Sequence, residues 1–140
     1  MIRKLSYQLT TFAIIGSVGF VVDGGVLTYL SVGLGMNVYV SRLISFALAS
    51  LATWLLNRKY TFRRPSHLHS FSHGSEYARY LIIQTCGALI NLGVFTWLIA
   101  EYPELKSIPI IPLAFGSGLA LIFNFLGARL WVFKSDEDKT

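Results

Sequence analysis

Charge is scarce in this 140-residue chain: 14% of its residues are Asp, Glu, Lys or Arg, against about 25% in an average soluble domain. A soluble chain of this size needs charge to cover a large surface. Twelve basic and seven acidic residues are too few for that, and they avoid long stretches of the chain. Cysteine is nearly absent. The single Cys86 excludes an intrachain disulfide and reads as a small side chain buried in an apolar run. Long alternating runs are lacking, which excludes a transmembrane barrel. There is no glycine-rich phosphate loop, and no nucleophile, base and orienting group at helical spacing. Nothing therefore argues for catalysis, and no cofactor is implied. A cleavable signal peptide is not expected, because the first apolar run is too long, contains Asp23 and precedes no small-residue cleavage site.

What the chain has in abundance is apolar length. Hydrophobic residues make up 54% of it, and the mean hydropathy is +0.56. Four runs stand out, at about Thr11–Val32, Val40–Leu56, Arg79–Ala100 and Ile108–Leu130. Each is near the ~20 residues that cross a bilayer core as a helix. The expected fold is an all-α membrane protein with four transmembrane helices, in one domain over residues 1–140. A short uncharged turn, residues 33–37, joins spans one and two, and Glu101, Glu104 and Lys106 lie between spans three and four. Ten of the twelve basic residues, all but Arg42 and Lys106, fall on the other side. The positive-inside rule makes that side cytoplasmic, with both termini there. The net charge of +5 is then an orientation signal, and nucleic acid is not an expected partner.

The chain also repeats. A shift of 68 residues lays Phe12–Leu30 over Tyr80–Leu98, with Gly19 on Gly87 and Asp23 on Asn91. A shift of 71 lays the end of span two over the end of span four, with Arg58 on Arg129 and Phe62 on Phe133. Each repeat is a helical hairpin, one over about residues 9–63 and the other over about 77–134. Two spans per repeat restore the chain direction, so the halves are parallel and related by an axis along the membrane normal. Repeat interfaces of this kind host substrate in transporters. Residues 63–76 are expected to form a polar cytoplasmic loop, and 135–140 a polar tail. His67, His69 and His73 have no Cys or placed carboxylate beside them, so no metal site is expected.

Polar residues inside spans are costly and mark function. Asp23 lies in the outer half of span one, on one face with Gly16 and Gly19. The matching face of span three carries Gln84, Gly87 and Asn91. The glycines read as close packing positions, and so do the small residues Ser45, Ala49 and Thr53 of span two and Ala114 and Gly118 of span four. Arg42, at the start of span two, is the natural partner of Asp23. The spans that return to the cytoplasm carry Asn57-Arg58-Lys59-Tyr60 and Asn124 with Arg129 and Trp131. Tyr60 and Trp131 suit an interfacial belt, and the arginines offer planar forks for phosphate oxygens.

In these features the chain resembles the GtrA-like family of small four-span bacterial membrane proteins, over roughly Leu9 to Lys134. The carriers are Gly16 through Asp23, Asn57-Arg58 with Thr61-Phe62, and Asn124-Phe125 with Arg129 and Trp131-Val132-Phe133. One departure is Thr53-Trp54, where members often have Asn-Phe. The resemblance implies translocation of a polyprenyl-phosphate-linked hexose across the bacterial cytoplasmic membrane for cell-surface glycosylation. The usual companion is a membrane glycosyltransferase, and the sugar does not carry over. On that reading Arg58, Lys59 and Arg129 capture the phosphate at the inner leaflet. Asp23, Gln84, Asn91 and Asn124 line a groove that replaces water around the sugar, and Asn57 is a further substrate-binding residue. Arg42 receives the phosphate near the outer face. A homodimer or larger assembly is expected, because four thin helices supply little groove. Two alternatives stand beside it: a small multidrug-type proton-coupled exporter, and a non-transporting membrane assembly subunit.

Overall fold

The computed structural model describes residues 2–63, 72–108 and 110–134. They form four long helices and no strand: α1 (Ile2–Thr28), α2 (Val38–Leu56), α3 (His73–Glu101) and α4 (Ile110–Gly127). All four are long and apolar enough to cross a membrane. A helix that satisfies its own backbone and is apolar around its circumference suits that medium. Large side chains such as Phe20, Leu43, Leu89, Trp97 and Phe115 are accordingly exposed on the bundle's outer faces. The chain is a multi-pass membrane protein.

Local chemistry sets the joints. α1 runs on through a π-helical turn, Tyr29–Gly33. The chain then reverses at Gly35, whose φ of +64° is left-handed and suits a residue without Cβ. Asn37 Oδ1 accepts from the Val40 N–H at 3.3 Å and starts α2. Pro103 opens a 3-10 turn, Pro103–Ser107, after α3 ends. Two boundaries differ from expectation. α1 begins at Ile2, nine residues before the apolar run, and α3 begins at His73 rather than Arg79. The last four residues of the expected loop are therefore helix. Ser72 caps that helix by accepting from the Ser75 N–H, and Glu76 in the first turn suits the helix dipole. His67, His69 and the tail 135–140 lie outside the described residues.

Packing is concentrated within α1–α2 and within α3–α4, so the chain is two hairpins side by side. They are built alike. α2 and α4 each end in a π turn, Asn57–Thr61 and Ala128–Val132. Each turn is closed by a bond of 2.8 Å, Phe62 N to Asn57 O and Phe133 N to Ala128 O. The two turns are 71 residues apart. Phe62 and Phe133 stack on each other, 4.8 Å between centroids and 16° between planes. A pseudo-twofold axis therefore passes between these equivalent rings. The flanking pairs match as well: Phe12 meets Phe62 edge-on at 6.2 Å, and Tyr80 meets Phe133 edge-on at 6.1 Å. Close approach of the helices uses equivalent contacts too. Gly19 leaves room only for Thr53, and Gly87 only for Asn124. A Cβ at either glycine would overlap that side chain. Gly16 departs from the expected packing role, because nothing lies within 4 Å of where its Cβ would be. Gly118 is equally open, and with Ala114 it lines a shallow surface depression instead of a helix contact.

The aromatic core made by Phe12, Trp54, Phe62, Tyr80, Phe125 and Phe133 sits at the end of the bundle that carries most of the basic residues. Toward the other end the hairpins leave a space between them.

Candidate functional site

That space is a groove of about 550 Å³ with walls from all four helices, inside the ~300–1,000 Å³ range of small-molecule sites. Asp23, Asn57, Gln84, Asn91 and Asn124 all line it, and so does Gly16. Arg42, Arg58, Lys59 and Arg129 do not. One chain thus supplies a groove of small-molecule size, so scarcity of groove gives no reason for an oligomer.

At the basic end the groove floor is a chain of hydrogen bonds. Thr61 Oγ1 donates to Asn57 Oδ1 at 2.7 Å, and Asn57 Nδ2 donates to the Tyr80 hydroxyl at 2.8 Å. Gln84 Nε2 donates to the same hydroxyl at 2.8 Å, and Asn124 Nδ2 donates to Gln84 Oε1 at 2.8 Å. Thr53 adds a further side-chain hydrogen bond to Tyr80. Tyr80 is wholly buried at the centre of this chain. Asn124 Oδ1 is buried and has no hydrogen-bond partner. A buried acceptor without a donor is costly and invites a ligand or water donor.

At the other end Asp23 is held twice. Arg42 Nη1 donates to its Oδ2, and Ser45 Oγ donates to its Oδ1 at 2.6 Å. The Arg42 side chain is 55% exposed and Asp23 15%, so the pair straddles the groove edge. Across the axis the equivalent of Asp23 is Asn91, which donates to Ser117 Oγ at 3.4 Å. Asn91 also packs on Gly116, where a Cβ would come within 2.5 Å of its Oδ1. The two ends of the groove differ in kind: neutral amides and a phenol at one, a carboxylate with its own cation at the other.

The basic rim lies beside the groove. Arg58 Nε is 2.9 Å from Glu76 Oε1, although its N–H is not aimed along that contact. It is an ion pair by distance rather than a directed hydrogen bond. Trp54 Nε1 donates to the same carboxylate oxygen at 3.0 Å, and the Arg58 guanidinium lies over the Trp54 ring at 5.8 Å. Lys59 is exposed and sits over Tyr60. Arg129 is half-buried, and among the described residues no carboxylate is within ion-pair distance of it.

Four participants were not singled out by sequence reasoning: Ser45 as a donor to Asp23, Tyr80, Glu76 and Gln8. The sequence pattern makes Ser45 a packing residue. Tyr80 had a signal, since it is the polar counterpart of Phe12 in the 68-residue repeat. Glu76 had one too, because the same shift continued upstream pairs it with Gln8. Both are buried, at 1% and 9% exposure.

Fold and site together define a four-span helical membrane protein with a polar groove along the axis between two related hairpins. The family model for the GtrA/DPMS transmembrane domain matches residues 11–138, and the chain belongs to that family. No curated protein matches the chain.

Proposed function

We propose that the protein translocates a polyprenyl-phosphate-linked hexose across the bacterial cytoplasmic membrane, for use by a membrane glycosyltransferase in surface polysaccharide synthesis. The observation that carries this reading is the groove at the hairpin interface, polar from Asn57 and Gln84 at the basic end to Asp23 at the other. A polyprenyl tail can stay in lipid while the head crosses, so the barrier is burial of sugar hydroxyls and one phosphodiester charge. Amides that both donate and accept are suited to hydroxyls. A cation of the basic rim meets the phosphate on the cytoplasmic side, and Arg42, restrained by Asp23 and half exposed, meets it on the outer side. Membrane lipids surround the rest of the bundle. Assembly into a homodimer or larger oligomer is compatible with the open small-residue face of α4 and is tested by mass measurement in detergent.

A proton-coupled exporter of organic cations fits less well. The carboxylate such a carrier would use is already engaged by Arg42 and Ser45, and the rim is cationic. A non-transporting assembly subunit would need no polar groove. Reconstitution separates the three readings. Liposomes holding the protein should equilibrate a labelled polyprenyl phosphoryl hexose between leaflets and should not move an organic cation down a proton gradient. Cation efflux would favour the exporter, and movement of neither would favour the subunit.

A further inference from the structure

The two halves carry an arginine at the same place but not the same counter-charge. The 71-residue shift relates Arg58 to Arg129, and the 68-residue shift relates Glu76 to Gln8. The matched ring pairs and glycine contacts follow these same shifts. Across the stacked Phe62 and Phe133, the two shifts map the pair Glu76 and Arg58 onto Gln8 and Arg129. In one half the arginine is neutralised by a carboxylate that is 1% exposed. In the other the repeat assigns an amide, Gln8, to the carboxylate's place. Its Oε1 is buried and has no hydrogen-bond partner. No carboxylate among the described residues answers Arg129.

We propose that Arg129 takes the headgroup phosphate, and that Glu76 is the protein's own anion in the equivalent position of the other half. This rests on the translocase reading and assigns its phosphate site. A phosphodiester carries one negative charge and two oxygens that suit the guanidinium fork. At Arg129 it supplies a counter-charge that no carboxylate among the described residues provides. At Arg58 it would have to displace Glu76 and separate that buried carboxylate from the guanidinium 2.9 Å away, which is strongly unfavourable. Arg58 and Glu76 are therefore a structural pair, tied to Trp54, and the rim has one phosphate site instead of two.

The test is the affinity of purified protein, in nanodiscs of zwitterionic lipid, for a short-chain polyprenyl phosphoryl hexose. Loss of a charge-assisted contact should make Arg129→Gln at least ~10-fold weaker, with partial recovery in Arg129→Lys. Removing the structural pair as Arg58→Gln/Glu76→Gln should keep affinity within ~3-fold, since no buried charge is left alone. Gln8→Glu should weaken binding by ~10-fold or more, because it supplies Arg129 with an internal anion. Thermal unfolding of each variant identifies those that are folded. The assignment is overturned if the double variant, folded, loses as much as Arg129→Gln. It is also overturned if folded Gln8→Glu binds like wild type. Excess phosphatidylglycerol should not compete; equal competition would make the site one for ordinary anionic lipid. Absence of binding by the wild type would overturn the translocase reading itself, whatever the variants do.

Discussion

The two hairpins share a backbone plan and differ in charge. Ring pairs, π turns and glycine contacts recur across the pseudo-twofold axis. The ion pairs do not. The first hairpin has Asp23 paired with Arg42, where the second has Asn91 and Leu113. At the basic end, Arg58 has Glu76 and Arg129 has the neutral position of Gln8. A duplicated scaffold needs its symmetric contacts to pack. Packing does not require the Asp23–Arg42 pair on the groove, which the proposed function assigns to the path of the headgroup.

The strongest way to break this contrast is to remove the carboxylate on the groove wall. Asp23→Ala should reduce surface sugar transfer in cells by ~100-fold or more, since it removes both a groove acceptor and the restraint on Arg42. Membrane insertion should be unchanged, because the half-exposed Arg42 can snorkel to the interface without its partner. Quantified surface glycan against protein level in the membrane checks this. Asp23→Asn makes the halves alike and should cost ~10-fold. Transferring the pair to the second hairpin, with Arg42→Leu, Asn91→Asp and Leu113→Arg added, should recover part of that loss. No recovery in a folded variant would mean that the hairpins are not equivalent in the path.

Smaller effects sharpen the other side of the comparison. Tyr80→Phe converts Tyr80 to the residue type of Phe12 and strands the amide donors of Asn57 and Gln84. Each buried donor left unpaired should cost roughly 1–3 kcal/mol, seen as a lower Tm in detergent. Gly87→Ala forces a Cβ into Asn124 and should cost about 1–3 kcal/mol by overpacking. Gly16→Ala meets nothing and should change stability by less than about 0.5 kcal/mol.

Much of this was legible in the sequence where a residue violated its surroundings. Asp23 in an apolar run and Arg42 across a short turn announce each other, and the structure brings them together. Gln84, Asn91 and Asn124 stand out in the same way, and they line the groove. What was not legible depends on tertiary contact. Glu76 looks like one more polar residue at the edge of a loop, and only the approach of Trp54 and Arg58 buries it. Tyr80 reads as an apolar span residue until its hydroxyl is seen between two amides. Gly16 and Gly19 are indistinguishable by type and spacing, and both line the groove, yet only Gly19 packs against a neighbouring helix. The π turns at Asn57–Thr61 and Ala128–Val132 leave no composition mark, although the 71-residue shift links them.

The central claim is that the groove is the path of the headgroup. It is tested most directly by the initial rate at which a labelled polyprenyl phosphoryl hexose, placed in one leaflet of a proteoliposome, becomes accessible to a membrane-impermeant reagent on the other side. The account predicts a rate well above that of protein-free liposomes for the wild type, and a rate at that background for Asp23→Ala. A wild-type rate equal to background, or an Asp23→Ala rate equal to wild type, would contradict it.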